Sequence, residues 1–286
     1  MDKYLKVVLS VVIMILISCG SDVSEEKLNE AKGRLFIIGG GSRPDELMDR
    51  MLKEAELDEN GYMVILPVSS ELPDSAIIWA SDQFVRLGID NIAGFNFLPD
   101  EKPKAEWIDS LRNASLIYIS GGDQNRFMSV VRNTEIEEAI HYAWENGAMV
   151  AGTSAGAAVM SEKMITGNEL KHTEYRSTFR VVESENIELT RGLGLINTAI
   201  IDQHFLWRSR YNRLFSAVIE HPDLVGIGID ESTAVLVYGN EYEVVGASQV
   251  LLFKNPDRSF VVKDGKLGAR NLTIDIYLPG DKFIIK

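Results

Sequence analysis

The 286-residue chain has one cysteine, Cys19, so no disulfide can form within a single molecule. Histidine is also scarce, at four residues, and no His, Asp or Glu cluster has metal-ligand spacing; neither metal nor cofactor is implied. Positive charge is in deficit. Against 42 Asp and Glu there are 29 Lys and Arg, and the formal net charge of −13 disfavours binding to nucleic acid phosphates or anionic lipid. A glycine run at residues 39–42, GGGS, lacks the lysine of a phosphate-binding loop and reads as a turn beside the site. No internal repeat, low-complexity tract or second hydrophobic core appears. Residues 33–286 are therefore read as one domain of ordinary globular composition, 45% hydrophobic and 25% charged.

Long apolar runs are also missing, except at the start. Lys3 and Lys6 precede an apolar run over residues 7–17, broken only by Ser10, which is short for a membrane span and right for a secretory leader. The run ends in Leu16, Ile17, Ser18 and Cys19, which resembles the bacterial lipoprotein cleavage box. That likeness implies cleavage at the cysteine and a lipid on the Cys19 thiol. Residues 1–19 are thus expected to be a leader with its lipidated cysteine, and residues 20–32 a polar tether. The protein is expected to be exported and lipid-anchored to a bacterial membrane, on the periplasmic or surface side.

From Arg34 onward, short apolar runs alternate with amphipathic stretches, the pattern of a mostly parallel sheet with helices on both faces. RLFIIGGGS reads as a first strand, followed by a helix beginning near Pro44; YMVILPVSS, NIAGFNFL, SLIYISGGD and AMVAGTS continue the series. Residues 166–192 are polar and without a sustained period, a long excursion over one face. Beyond them lie the apolar stretch GLGLINTAIIDQHF, a helix over YNRLFSAVIEH and several C-terminal strands, with turn signals at Gly239-Asn240 and Asp264-Gly265.

The stretch AMVAGTSAGAAVM at residues 148–160 places one hydroxyl, Ser154, among small residues at a strand end, as a sharp turn carrying a nucleophile requires. A plain tight turn has the same composition, so the hydroxyl needs a partner base. Of the four histidines, His204 stands at the end of an apolar strand, where a base would reach the carboxyl edge of a sheet, although a buried structural histidine reads the same way. Arg208, Arg210 and Arg213 follow within one short span of an acidic protein. Such a cluster suits a substrate carboxylate, or else salt bridges on a solvated helix face. SGGDQ at residues 120–124 leaves glycine amides at a strand end; the N–H of Gly122 with that of Ala155 would make an oxyanion hole.

Taken together and in order, SGGDQ, AGTSAGAAVM, DQHFLWRSRYNR and GIGIDESTA resemble the cyanophycinase-like serine peptidases, a family that also contains aspartyl dipeptidase. The likeness runs from about Gly33 to about Phe253. It implies a three-layer, flavodoxin-like α/β sandwich similar to class I glutamine amidotransferases, with serine where those enzymes carry cysteine. It further implies Ser154 as nucleophile, His204 as base, and a pocket for a β-linked aspartyl residue lined by Gln124, Asp202, Gln203, Arg208, Arg210 and Arg213. For the acid orienting His204, Glu169 is placed first because it obeys the family order of serine, acid, histidine. Glu231 is the competing choice, or else a partner for the basic end of a substrate, and Glu174 is a third. The expected activity is acyl transfer through an acyl-enzyme by a serine exopeptidase hydrolysing the β-aspartyl Asp-Arg linkages of cyanophycin or related peptides. An α-aspartyl or isoaspartyl dipeptidase and a non-catalytic ligand-binding lipoprotein are the alternatives, and a homodimer is compatible with the family.

Overall fold

The computed structural model describes residues 33–57, 61–174 and 176–286; the expected leader, Cys19 and the tether lie outside them. Five strands, β1 (Leu35–Ile38), β2 (Met63–Leu66), β3 (Ile92–Gly94), β4 (Leu116–Ile119) and β5 (Met149–Thr153), run mutually parallel in the order β1-β5-β4-β2-β3. Every residue of β1, β2, β4 and β5 is buried. A strand covered on both faces needs no polar alternation, which is why these runs are apolar without a break.

Successive side chains point to opposite faces. Phe36 and Ile38 pack under α1 (Asp45–Glu54) and α2 (Pro73–Arg86), while Leu35 and Ile37 pack under α3 (Ala105–Arg112), α4 (Gln124–Val131), α5 (Glu135–Glu145) and α6 (Ala155–Ala158). Helix α1 starts after Pro44, with Asp45 and Glu46 in its first turn and Lys53 in its last, each complementing the helix dipole.

The long polar excursion contains more regular structure than its composition suggests. Its ends form a two-stranded ladder of β6 (Lys163–Glu169) and β7 (Ile187–Arg191). A register shift between Ile165 and Glu169 hides the alternation that would have marked a strand.

The chain then builds a second sheet. β8 (Ala199–Gln203) leads through α7 (Tyr211–Glu220) to β9 (Val225–Ile229), parallel to β8. β10 (Thr233–Tyr238) and β11 (Glu241–Gly246) return to the first sheet, antiparallel, beside β1. β12 (Val250–Lys254) pairs with β9; β13 (Val261–Lys263) and β14 (Lys266–Gly268) form a separate hairpin; β15 (Thr273–Tyr277) pairs with β12; and β16 (Lys282–Ile284) edges the first sheet. The C-terminal strands read from the sequence are thus divided between two sheets, of eight and four strands.

The smaller sheet packs Ile200, Leu251 and Phe253 against Leu214 and Val218 of α7. Its opposite face, with Ile201, Ile227 and Leu252, joins the core beneath α3 to α6. Each such large apolar side chain contributes roughly 1.5–3 kcal/mol on burial, so this packing holds the two sheets in fixed register. Ser154 leaves the carboxyl end of β5, and His204 that of β8.

Candidate active site

Ser154 joins β5 to α6 with φ 54° and ψ −110°, a conformation costing about 1–3 kcal/mol that persists only where its surroundings enforce it. Its N–H donates to the Ile38 carbonyl at 3.0 Å, tying the turn to β1. The small residues of GTSAG have a direct cause. A Cβ on Gly156 would lie 2.3 Å from the Ile119 carbonyl oxygen, so only glycine lets α6 descend onto β4. The first amide of α6, that of Ala155, has no carbonyl one turn behind it. The Gly122 amide, beyond the end of β4, has no hydrogen-bond partner among the described residues.

His204 is 6% exposed, and its own φ of 50° turns the ring back over the sheet edge. Its N–H donates to the Gly39 carbonyl at 2.7 Å. A Cβ on Gly40 would stand 2.4 Å from the imidazole, so the glycine run at residues 39–42 is the turn that admits the ring. The Ser154 hydroxyl lies 2.8 Å from His204 Nε2, and Glu231 Oε1 lies 2.5 Å from His204 Nδ1. A carboxylate only accepts, so the ring proton is on Nδ1 and Nε2 is free to accept from the serine.

Burial holds the imidazole below its usual range. The Glu231 hydrogen bond opposes that shift, and the positive charges of Arg208 and Arg210 add to it. The ring is therefore neutral near pH 7, the state a base requires.

Glu169, placed first as the orienting acid, does not make this contact. It is 7% exposed near the end of β6 and accepts from Asn186 Nδ2 at 2.8 Å, closing the hairpin with β7. The carboxylate that meets His204 comes from later in the chain because β9 ends beside β8, and the link from β9 to β10 crosses between the sheets at Glu231. Glu174 is paired with Arg176 at 3.6 Å on the surface.

The preceding residue, Asp230, was not singled out. Its Oδ1 accepts from the Leu206 and Trp207 amides at 3.1 and 2.9 Å, and its Oδ2 from Ser248 Oγ at 2.7 Å, which fixes the turn just after His204. The only signal for it was its place in GIGIDES, beside the acid.

Beside Ser154 opens a cavity of about 270 Å³ whose walls include Gly122, Gln124, Gln203, Arg208, Arg210 and Arg213. Asp202, expected there, does not line it. It is fully buried and takes Arg213 in a two-pronged ion pair, Nε to Oδ2 at 2.6 Å and the second nitrogen to Oδ1, with Arg210 at 3.7 Å. An aspartate beside three arginines is the natural counter-ion for the deepest of them.

Arg210 also donates to the Gln203 carbonyl at 2.8 Å, and Gln124 Nε2 to the Ile165 and Thr166 carbonyls at 3.1 and 2.7 Å. Arg208, half-buried, makes no side-chain hydrogen bond or ion pair within the described residues, and Gln203 Oε1 is buried there without a partner. A larger cavity of about 520 Å³ opens at the amino ends of the strands, around Arg34, Arg112 and Met149, remote from the serine and histidine.

The sequence model of Peptidase family S51 matches residues 35–245. The cyanophycinases of Nostoc sp. and Trichormus variabilis are each 32% identical to this chain over 268 residues, covering 88% of it and 85% of their own length. The crystal structure of a peptidase from an acI-B1 Actinobacterium shares the fold, with a TM-score of 0.64 at 23% identity over 90% of this chain and 98% of that one. The matched span holds both sheets' contributions to the site, from β1 to β11, and on that breadth of agreement the chain belongs to peptidase family S51 and is a serine peptidase.

Proposed function

We propose that this chain is an exopeptidase that hydrolyses an aspartyl amide of cyanophycin, the aspartate polymer bearing arginine on its side chains, or of a related β-aspartyl peptide, through an acyl-enzyme. One observation carries the reading: Ser154, 2.8 Å from His204, borders a small cavity into whose wall Arg208 brings a guanidinium that has no side-chain hydrogen bond or ion pair among the described residues. A β-aspartyl unit presents a free carboxylate near its scissile amide, and a guanidinium fork is the group that binds it. A cavity of about 270 Å³ suits the end of a peptide rather than its middle.

In the reaction that follows, Ser154 Oγ attacks the amide carbonyl as its proton passes to His204 Nε2. The carbonyl oxygen becomes an oxyanion that accepts from the Gly122 and Ala155 amides. The C–N bond then breaks, and His204 returns the proton to the leaving amine. Water repeats the sequence on the ester and frees Ser154. Glu231 holds the ring and offsets the charge that His204 acquires.

Purified protein lacking residues 1–19, incubated with cyanophycin, is expected to release β-Asp-Arg or free arginine. The first product marks main-chain cleavage and the second side-chain cleavage. Turnover only of Asp-X or isoaspartyl dipeptides would assign the substrate to the dipeptidase alternative; no turnover of any aspartyl peptide would leave a ligand-binding protein.

Glu231→Gln is expected to lower kcat by about 10³-fold or more, as when the acid of a serine triad becomes an amide. Glu169→Gln should stay within about threefold of wild type, since it changes one hairpin hydrogen bond. The reverse ranking would return Glu169 to the orienting role. The pH profile of kcat/KM supplies a sign. His204 must be neutral to act, and its environment lowers its pKa, so the acid limb should have its midpoint below about 6.5. Glu231 raises that pKa; its loss moves the limb further down.

The leader-like residues 1–19 with Cys19 support export, which would put this chemistry outside the cytoplasm. Cys19→Ser is expected to shift the protein from membrane to soluble or uncleaved form in fractionated cells, and unchanged membrane retention of a cleaved form would contradict the lipid anchor.

A further inference from the structure

A β-aspartyl–arginine substrate carries both signs of charge. The carboxylate has Arg208, and the basic group calls for a carboxylate of the protein. Glu231, considered for it from the sequence, is occupied by His204 at 2.5 Å. Glu188 stands behind the wall, its Oε2 accepting from Thr166 Oγ1 at 2.6 Å and Asn168 Nδ2 at 2.9 Å. Of the residues that border the cavity, Asp123 alone has a carboxylate.

Asp123 follows Gly122 directly and is exposed at the mouth. Its Oδ1 caps α4, accepting from the Asn125 and Arg126 amides at 2.7 and 3.4 Å. Its Oδ2 accepts nothing, and the carboxylate has no ion pair, among the described residues. The cavity lining thus holds guanidinium groups and one carboxylate with an open oxygen, on the residue that follows Gly122. A fork of N–H donors on a substrate would match that oxygen while Oδ1 keeps the helix cap.

We propose that Asp123 is a specificity-determining residue, holding the basic side chain of the substrate unit whose amide is cleaved. The proposal rests on the aspartyl-peptide reading. Asparagine caps a helix as well as aspartate does, so Asp123→Asn removes the charge and leaves α4 intact.

The experiment compares two peptides, one with β-aspartyl-arginine at the cleaved end and one with citrulline in place of arginine, a neutral side chain of nearly the same shape. Wild type is expected to favour arginine by about tenfold in kcat/KM, a magnitude for one partly exposed charge-assisted contact. In Asp123→Asn the preference should fall to about twofold or less, through KM for the arginine peptide with kcat unchanged. Turnover of the citrulline peptide and the melting temperature should match wild type, separating charge recognition from misfolding. A tenfold preference that persists in Asp123→Asn, or equal loss on both peptides, overturns the assignment alone. Failure of wild type to cleave either peptide overturns the functional reading and the assignment with it.

Discussion

Ser154→Ala is expected to reduce kcat on any aspartyl peptide the protein cleaves by about 10⁴-fold or more, the scale seen when a serine triad loses its nucleophile. The loss is chemical rather than structural. The hydroxyl's one side-chain hydrogen bond runs to His204 Nε2 at 2.8 Å, and alanine carries the same Cβ through the φ 54° turn, so the variant should melt close to wild type. A serine-directed fluorophosphonate should label the wild-type chain and not the variant. Activity above about one per cent in Ser154→Ala would place the nucleophile elsewhere, since uncatalysed attack assisted only by an oxyanion hole retains far less.

Asp202→Ala should have the largest effect on stability, about 3–5 kcal/mol, the usual cost of breaking a buried ion pair by deleting one partner. Asp202 is fully buried and Arg213 is 3% exposed, so removing the carboxylate takes from a buried guanidinium its two-pronged counter-ion. The measurement is a denaturant titration, with the midpoint shifting at unchanged slope. Changing both partners, Asp202→Leu with Arg213→Met, should recover part of the loss because the uncompensated charge is reduced. A single-variant loss below about 1 kcal/mol would mean that water or a rearranged carboxylate reaches this arginine. Activity should fall as well. Asp202 stands on β8 two residues before His204, and its Oδ1 accepts from the Gln203 amide at 2.7 Å.

How far the sequence could be read differs from element to element. β1, β2, β4 and β5 were legible because a strand covered on both faces must be apolar throughout, and α7 because its buried residues recur at helical spacing. β6 and β7 were not. Ile165 is fully packed, but the register shift just after it and the polar residues facing the cavity break the alternation that signals a strand. The division of the C-terminal strands between two sheets was also hidden. β10 and β12 have the same apolar character, and only the packing of α7 against Phe253 and of β10 against β1 separates them.

The site shows the same boundary. Residue type and order marked Ser154 and His204, because an elbow needs small neighbours and a base needs a strand to deliver it. The orienting acid was a different kind of question. Glu169 follows the serine in the chain, but a carboxylate reaches only a few ångströms, and β6 spends its reach on Asn186. Likewise three arginines and an aspartate look alike as letters, whereas in space Asp202 neutralises Arg213 deep in the protein and leaves Arg208 at the cavity.

The sequence by itself therefore determined the parallel α/β core and singled out Ser154 and His204, because these depend on local periodicity and on the backbone demands of single turns. Which acid meets His204, and which arginine pairs with Asp202, only the tertiary structure decided. Those choices depend on where β9 ends relative to β8, and hydrogen bonds and ion pairs act across space over distances that chain order does not encode.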